Sequence, residues 1–338
     1  METSKPMTPP SLYEALSVNI KCTQKGEYEL LLPSSFCFGP RIFGGLVMSM
    51  VHQATESYFT ENHPKFNQPH VISMQWQFFR QVYPSTAKLA IHDIHIGKSG
   101  SLLQATISQD GHACMMSLVN MANLQVSPGL TFKTDWKLDP PTIEASISSL
   151  AADCDPRWIS YQTPYHPESF RRVQSYVKFY VPYEQQQSHI RDHWITPADP
   201  GVTFTTEMLG FLLDLSLPII DNYLPGESTG GQIACIALGL EQKKDREAGI
   251  TEVIDPSSGA FESPAVYLSL STTIEIKKLM PARGAKWLFM RAYAKQIKDG
   301  RMSMEVVVFD ESLDLVALSQ QLCPIMELSR MKTSKESL

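Results

Sequence analysis

The chain has 338 residues, 43% of them hydrophobic and 19% charged, which supplies a sizeable core and excludes global disorder. A net charge of −6 argues against a large nucleic-acid footprint and leaves room only for a local basic pocket facing one phosphorylated ligand. No apolar run approaches the ~18 residues of a membrane span, and residues 1–10 are polar and proline-rich with no secretory h-region.

The six cysteines are scattered, with no C-x-x-C pair and no short Cys/His spacing, so neither a disulfide framework nor a zinc site is expected. A cytoplasmic protein follows from these features. The final Lys-Glu-Ser-Leu at 335–338 ends in Leu but lacks the rest of a peroxisomal signal.

In chain order, residues 28–33 read as a strand. Phe43-Gly44-Gly45 then opens a helix with Leu46, Val47, Met50, Val51, Ala54 and Tyr58 on one face and Ser49, Gln53 and Glu56 opposite. From residue 71 come four strand-like runs, separated by a turn at Pro84, a turn at Gly97 and Gly100, and an Asp110-Gly111 turn. Residues 125–168 are rich in Pro, Asp and Ser and read as a linker. Residues 173–183 read as a strand. Residues 206–221 read as a helix too apolar for the surface, which Pro218 should kink or end.

Residues 241–263 read as a charged surface loop, and those from 330 onward as a frayed polar tail. From residue 266 the four-run pattern returns, with turns at Pro281, Gly300 and Asp310-Glu311; the spacings 100–110 and 300–310 are equal. Helix followed by antiparallel meander therefore occurs twice. Two sheets each wrapping one helix, or one shared sheet, would satisfy the pattern. The division is 1–124, an N-terminal unit; 125–168, linker; 169–328, a C-terminal unit; and 329–338, tail.

The stretches GPRIFGGLVMSMVHQA, HVISMQWQFFRQVYP, GFLLDLSLP, VYLSLSTTIEI and LVALSQQLCPIM, in this order over roughly residues 25 to 328, resemble the double-hotdog type II acyl-CoA thioesterases, nearest to their fungal thioesterase-like branch. The resemblance implies an α+β fold of two fused hotdog units. It also implies hydrolysis by a water that an Asp, a hydroxyl residue and a Gln activate. Matched by motif, these fall on Asp214, Ser269 and Gln321, and a one-residue slip would move the last role to Gln320. Where better-characterised members carry Asp-His after the hydroxyl-Leu step, this chain has Ser271-Thr272.

The chemistry suits these residue types. A thioester carbonyl needs an oriented water, a base and a stabilised oxyanion. Asp214 would be the base, its pKa raised by apolar neighbours, while Ser269 and Gln321 would hold the water. N–H groups at the Gly44-Gly45 helix start could receive the thioester oxygen or a phosphate.

Plainer readings exist for each. Glu207, Asp214 and Asp221 are seven apart and could be one solvent stripe of a helix. Ser269, Ser271 and Thr273 alternate and could share an outer sheet face. Gly226-Glu227-Ser228-Thr229-Gly230 fits G-x-S-x-G, but no histidine follows it, so an α/β-hydrolase triad in its usual order is excluded. His189 and His193 have i,i+4 spacing without a base between them. His52 and His70 read as core or rim histidines. Lys277, Lys278, Arg80, Arg171 and Arg172 are candidates for coenzyme phosphates.

The leading expectation is an acyl thioester hydrolase without metal or redox cofactor, acting on acyl-CoA or a carrier-bound chain. The alternatives are a cyclase of a fungal natural-product pathway and a lipid-binding protein without catalysis, both suited by an adaptable pocket drawing on fifteen methionines. The partner is a small acyl thioester or apolar molecule, not nucleic acid or membrane, and a homo-oligomer is left open.

Overall fold

The computed structural model describes residues 11–17, 19–126, 129–215, 219–224, 231–250 and 265–327. The G-x-S-x-G stretch at 226–230, Pro218 and the tail lie outside these residues.

The first half runs α1 (Leu12–Ser17), β1 (Ile20–Gln24), β2 (Glu27–Leu31), the short hairpin β3 (Cys37–Phe38) and β4 (Arg41–Ile42), α2 (Gly44–Asn62), then β5 (His70–Phe78), β6 (Thr86–Ile96), β7 (Ser101–Gln109) and β8 (His112–Ala122). The second runs α3 (Ile147–Ala151), β9 (Trp158–Tyr161), β10 (Val177–Pro182), β11 (Ile190–Pro197), α4 (Leu209–Asp214), α5 (Gln232–Glu247), β12 (Ala265–Tyr267), β13 (Ser271–Ile276), β14 (Leu288–Lys298), β15 (Arg301–Phe309) and β16 (Leu315–Glu327).

Both meanders form as the duplicated pattern predicts. They join in one antiparallel sheet of order β1-β2-β6-β7-β8-β5-β13-β16-β15-β14-β11-β10-β9, with β12 on β16. The order β6-β7-β8-β5 is mirrored as β13-β16-β15-β14, so the halves meet strand to strand, Thr272 opposite Trp76 and Ile274 opposite Met74. Of the two arrangements expected, the shared sheet is present. The Asp110-Gly111 and Asp299-Gly300 pairs turn with positive φ at both residues, as two-residue hairpin turns require.

Three expectations are corrected. First, the polar face of α2 is covered at its N-terminal end, while Gln53 and Glu56 are half-buried and Ser57, Thr60 and Glu61 exposed. Ser49, placed on its polar face, is inaccessible because α4 of the other half packs there. Second, residues 206–221 are not one helix. A short 3-10 turn leads into the six residues of α4, and Asp221 sits in a separate 3-10 turn. The solvent-stripe reading of Glu207, Asp214 and Asp221 is lost with the continuous helix. Third, residues 241–247, read as loop, continue α5. The run Glu-Gln-Lys-Lys-Asp-Arg-Glu is rich in helix formers. Gln242 of this helix exchanges two hydrogen bonds with the Gln162 backbone (3.0 and 2.8 Å), just beyond the edge strand β9.

The linker segment is structured too. It contains α3 and β9. Its residues Leu138, Ile143, Ala145 and Ile147 pack on Trp158, Trp194, Trp287, Phe289 and Phe309, and Trp136 stacks on Phe309. The second half of the sheet is thereby covered on both faces, and every residue of β11 is buried. Beneath this cover Arg291 grips Asp192 through two bonds, Nε to Oδ1 at 2.5 Å and Nη2 to Oδ2 at 2.6 Å.

Candidate active site

A cavity of about 310 Å³ opens where the halves meet. Its walls come from the start of α2 (Phe43, Gly44, Val47), the end of β5 (Phe78), residues 80–82, Asp214 at the end of α4, and residues 265–270.

Asp214 is set there by the crossing of α2 and α4. Ser49 Oγ accepts the N–H of Phe211 at 2.9 Å, satisfying an amide in the first turn of α4. At the other end of that turn, Asp214 Oδ2 accepts the N–H of Gly45 at 2.8 Å. The two backbones come close enough that small residues are required. A Cβ on Gly45 would lie 2.6 Å from the Phe43 ring and 2.9 Å from both Asp214 Cβ and Phe211 Cα. Gly45→Ala is therefore expected to push α4 away from α2, costing about 1–3 kcal/mol and disturbing Asp214. Chemical denaturation measures the first effect and turnover the second. Wild-type values for both would show that the crossing tolerates a methyl group.

Ser269 donates to Asp214 Oδ1 at 3.0 Å. Strict alternation would put Ser269, Ser271 and Thr273 on one face, and the structure departs from it. Tyr267 pairs with Ile325 but Ser271 with Leu322, a one-residue slip against β16. The bulge reverses the side-chain parity. Ser269 before it turns inward to Asp214, and after it the inward residue is Thr272, buried opposite Gln321.

Gln321 is buried and Gln320 exposed. Gln321 does not, however, line the cavity. Its Nε2 donates to the Leu213 carbonyl and to Ser319 Oγ, both at 3.1 Å. It stands behind Asp214, bonded to the backbone that carries it. Asp214 and Ser269 are thus brought together at the cavity wall, with Gln321 one layer back.

Burial pushes the Asp214 carboxyl up to about 6, against the opposing hydrogen bonds from Ser269 and Gly45. The Cys323 thiol is pushed up to about 12, first by burial and then by the Asp214 charge. The N–H of Gly45, expected to be open to a ligand, is taken by Asp214. Gly44 remains on the cavity wall.

Other candidates fall away from this site. His189 is exposed and His193 is buried on β11, so they are not a helical pair. Among the described residues no group of three or more His, Cys, Asp or Glu is placed to hold a metal ion. His52 bonds Glu56 at 3.1 Å, and His70 Nδ1 accepts the N–H of Leu124. Lys277 pairs with Glu275, and Lys278 with Asp310 and Asp314. Arg172 donates to the Ser34 and Ser169 carbonyls. Arg80 and Arg171 do line the cavity, and so does Arg41, which no local sequence signal marked.

Residues 32–122 match the acyl-CoA thioesterase N-terminal domain and residues 146–325 the acyl-CoA thioesterase C-terminal domain. Thioesterase-like protein TwmA of Talaromyces wortmannii is 23% identical over 328 residues, covering 92% of this chain and 90% of TwmA. Among solved structures, a hotdog-fold protein of unknown function from Alicyclobacillus acidocaldarius aligns with a TM-score of 0.65 at 12% identity, over 94% of this chain and 99% of that one. An acyl-CoA thioesterase II from Mycobacterium marinum aligns at 0.56 and 14%, over 94% and 98%. These structures show the fold: α+β, with two hotdog units sharing one antiparallel sheet around α2 and α4. Among the described residues no helix is long and apolar enough to cross a membrane. With both of its domains matched in order, the chain belongs to the acyl-CoA thioesterase family.

Proposed function

We propose that the protein hydrolyses an acyl thioester, with Asp214 as general base. The observation that carries this reading is the Asp214 carboxyl itself. It is held by Ser269 and Gly45 at the wall of a largely apolar cavity, with its pKa raised to about 6. At neutral pH it is mostly ionised, yet basic enough to take a proton, the compromise that general-base catalysis favours.

Each oxygen of Asp214 accepts one hydrogen bond and keeps a lone pair for a water in the cavity. The Ser269 hydroxyl, having donated its proton to Asp214, can accept from that water. As the water attacks the thioester carbon, its proton passes to Asp214. The N–H of Gly44, in the helical turn that lacks intrahelical acceptors, is the donor for the developing oxyanion. Collapse of the tetrahedral adduct expels the thiolate, which recovers the proton from Asp214. The products are an acid and a thiol. Gln321 acts in this scheme as a positioning residue through the Leu213 carbonyl, not as a contact to the water.

A cyclase or binding role for an apolar chain is the second reading. It draws on the distance of Gln321 from the cavity and on Ser271-Thr272 in place of Asp-His. Thiol release from a panel of acyl-CoAs separates the two. Hydrolysis predicts release by the wild type. It predicts a lower rate in Ser269→Ala, with the acid limb of its pH profile moved upward, because a hydrogen bond that favours the carboxylate is gone. A folded protein that releases thiol from no chain length would sink the hydrolase reading.

A further inference from the structure

The cavity that holds Asp214 also gathers positive charge that hydrolysis at the Asp214 wall does not use. Arg41, Arg80 and Arg171 line it, and Asp214 is the one acid among the described lining residues. The arginines are not neighbours of that acid. Its partners are Ser269 and Gly45, and no arginine contributes to the shift of its carboxyl.

A single hairpin collects the three. Arg41 on β4 pairs with Phe38 on β3, whose ring packs edge-on against Phe170 at 4.8 Å, and the N–H of Gly39 donates to the Phe170 carbonyl at 2.7 Å. This puts the hairpin beside Arg171. On its other side the N–H of Ile42 donates to the Val82 carbonyl at 2.9 Å, beside the segment that carries Arg80.

Two of the guanidiniums are underused. Arg171 is only 3% exposed; it meets Asp221 Oδ2 at 3.0 Å, while its Nε is buried with no hydrogen-bond partner. The Nε of Arg41 is likewise buried and unpartnered. No ion pair among the described residues involves Arg41 or Arg80. Guanidinium N–H groups taken from water without an acceptor cost free energy, and a planar oxyanion is the partner that fits them best. The walls of the cavity are mostly apolar, so an acyl chain lying along them can bring such an oxyanion to the arginines.

We propose that the cavity is built for an acyl group carrying its own carboxylate, which Arg41 and Arg171 bind while the thioester carbon lies at Asp214. This substrate class rests on the hydrolase reading, but the anion subsite can be tested without turnover.

Calorimetry on the full chain would compare octanoate with octan-1-ol, in the wild type and in Arg41→Gln. Octanoate is expected to bind roughly ten- to a hundred-fold more tightly than the alcohol. That advantage should be lost in Arg41→Gln and partly restored in Arg41→Lys, with binding of the alcohol unchanged. Equal affinities for acid and alcohol in the wild type would overturn the proposal, whatever the variants do. So would weakened binding of acyl-free coenzyme A in Arg41→Gln with octanoate unaffected, since that result assigns the arginine to the coenzyme phosphates.

A kinetic arm uses N-acetylcysteamine thioesters, which carry no phosphate. The ω-carboxylated eight-carbon thioester should exceed the octanoyl thioester in kcat/KM, and the preference should vanish in Arg41→Gln. If neither thioester is hydrolysed but octanoate is still preferred, the anion subsite stands and the hydrolase reading falls.

Discussion

Asp214→Asn is expected to make the protein inactive and, above pH 6, more stable. The two effects share one cause. The carboxyl is pushed up to about 6 by burial, whereas in the unfolded chain an aspartate titrates near ~3.9. A group whose folded-state pKa is the higher one stabilises the fold while protonated. Its contribution is complete below about pH 4 and is lost as the pH rises through 6. Holding the ionised form at neutral pH therefore costs on the order of 3 kcal/mol.

Asparagine removes that cost and keeps the shape. Its carbonyl oxygen can still accept the N–H of Gly45, and its amide can donate to Ser269 Oγ. Thermal unfolding from pH 4 to pH 8 should show coincident wild-type and variant midpoints at the acid end and a variant that melts higher at the alkaline end. Thiol release should fall by about a hundred- to ten-thousand-fold, the usual worth of a positioned base. Parallel pH–stability curves would mean that the carboxyl is better solvated than its setting indicates. Retained turnover would remove Asp214 from the role of base.

How much of this site was legible beforehand depends on how local each signal is. The meanders are marked by Pro84, Pro281, Asp110-Gly111 and Gly300, because a turn advertises itself within a few residues. Asp214 stands out as an acid among Phe211, Leu212, Leu213 and Leu215. Ser269, the hydroxyl that the motif match names, donates to Asp214, whereas strict alternation would set it on one face with Ser271 and Thr273. The bulge that turns it inward is a property of pairing with β16 and leaves no trace in a single strand.

The contacts that hold the site together were less visible still. Gly45 read as a ligand donor and is instead the partner of Asp214, 169 residues away in the chain. The buried pair of Arg171 and Asp221 joins residues 50 apart. The burial of Ser49 depends on a helix of the other half. The linker misled for another reason. Its Pro, Asp and Ser content suggested a free tether, while Trp136, Leu138 and Ile143 follow no strand or helix period and so left no amphipathic signature. A segment that covers a sheet without joining it needs no period.

That covering segment yields the largest expected loss of stability. Arg291 and Asp192 are each about 1% exposed, on adjacent strands β14 and β11. Arg291 also donates to the Pro140 carbonyl of the covering segment and to the Tyr293 hydroxyl at 3.2 Å. Arg291→Met would strand the Asp192 carboxylate in the interior, at a cost of about 3–5 kcal/mol. It would also free the cover at Pro140. Adding Asp192→Leu separates the two contributions. If the penalty is the unpaired charge, the double variant should recover most of the loss, because two well-packed apolar side chains can replace a buried ion pair with little change in stability. If the Pro140 contact dominates, the double variant should remain as unstable as the single one. Limited proteolysis within residues 129–145 should then be faster in both. Denaturant unfolding combined with mapping of the cleavage sites decides between the two, and a single variant as stable as the wild type would contradict the burial of the pair itself.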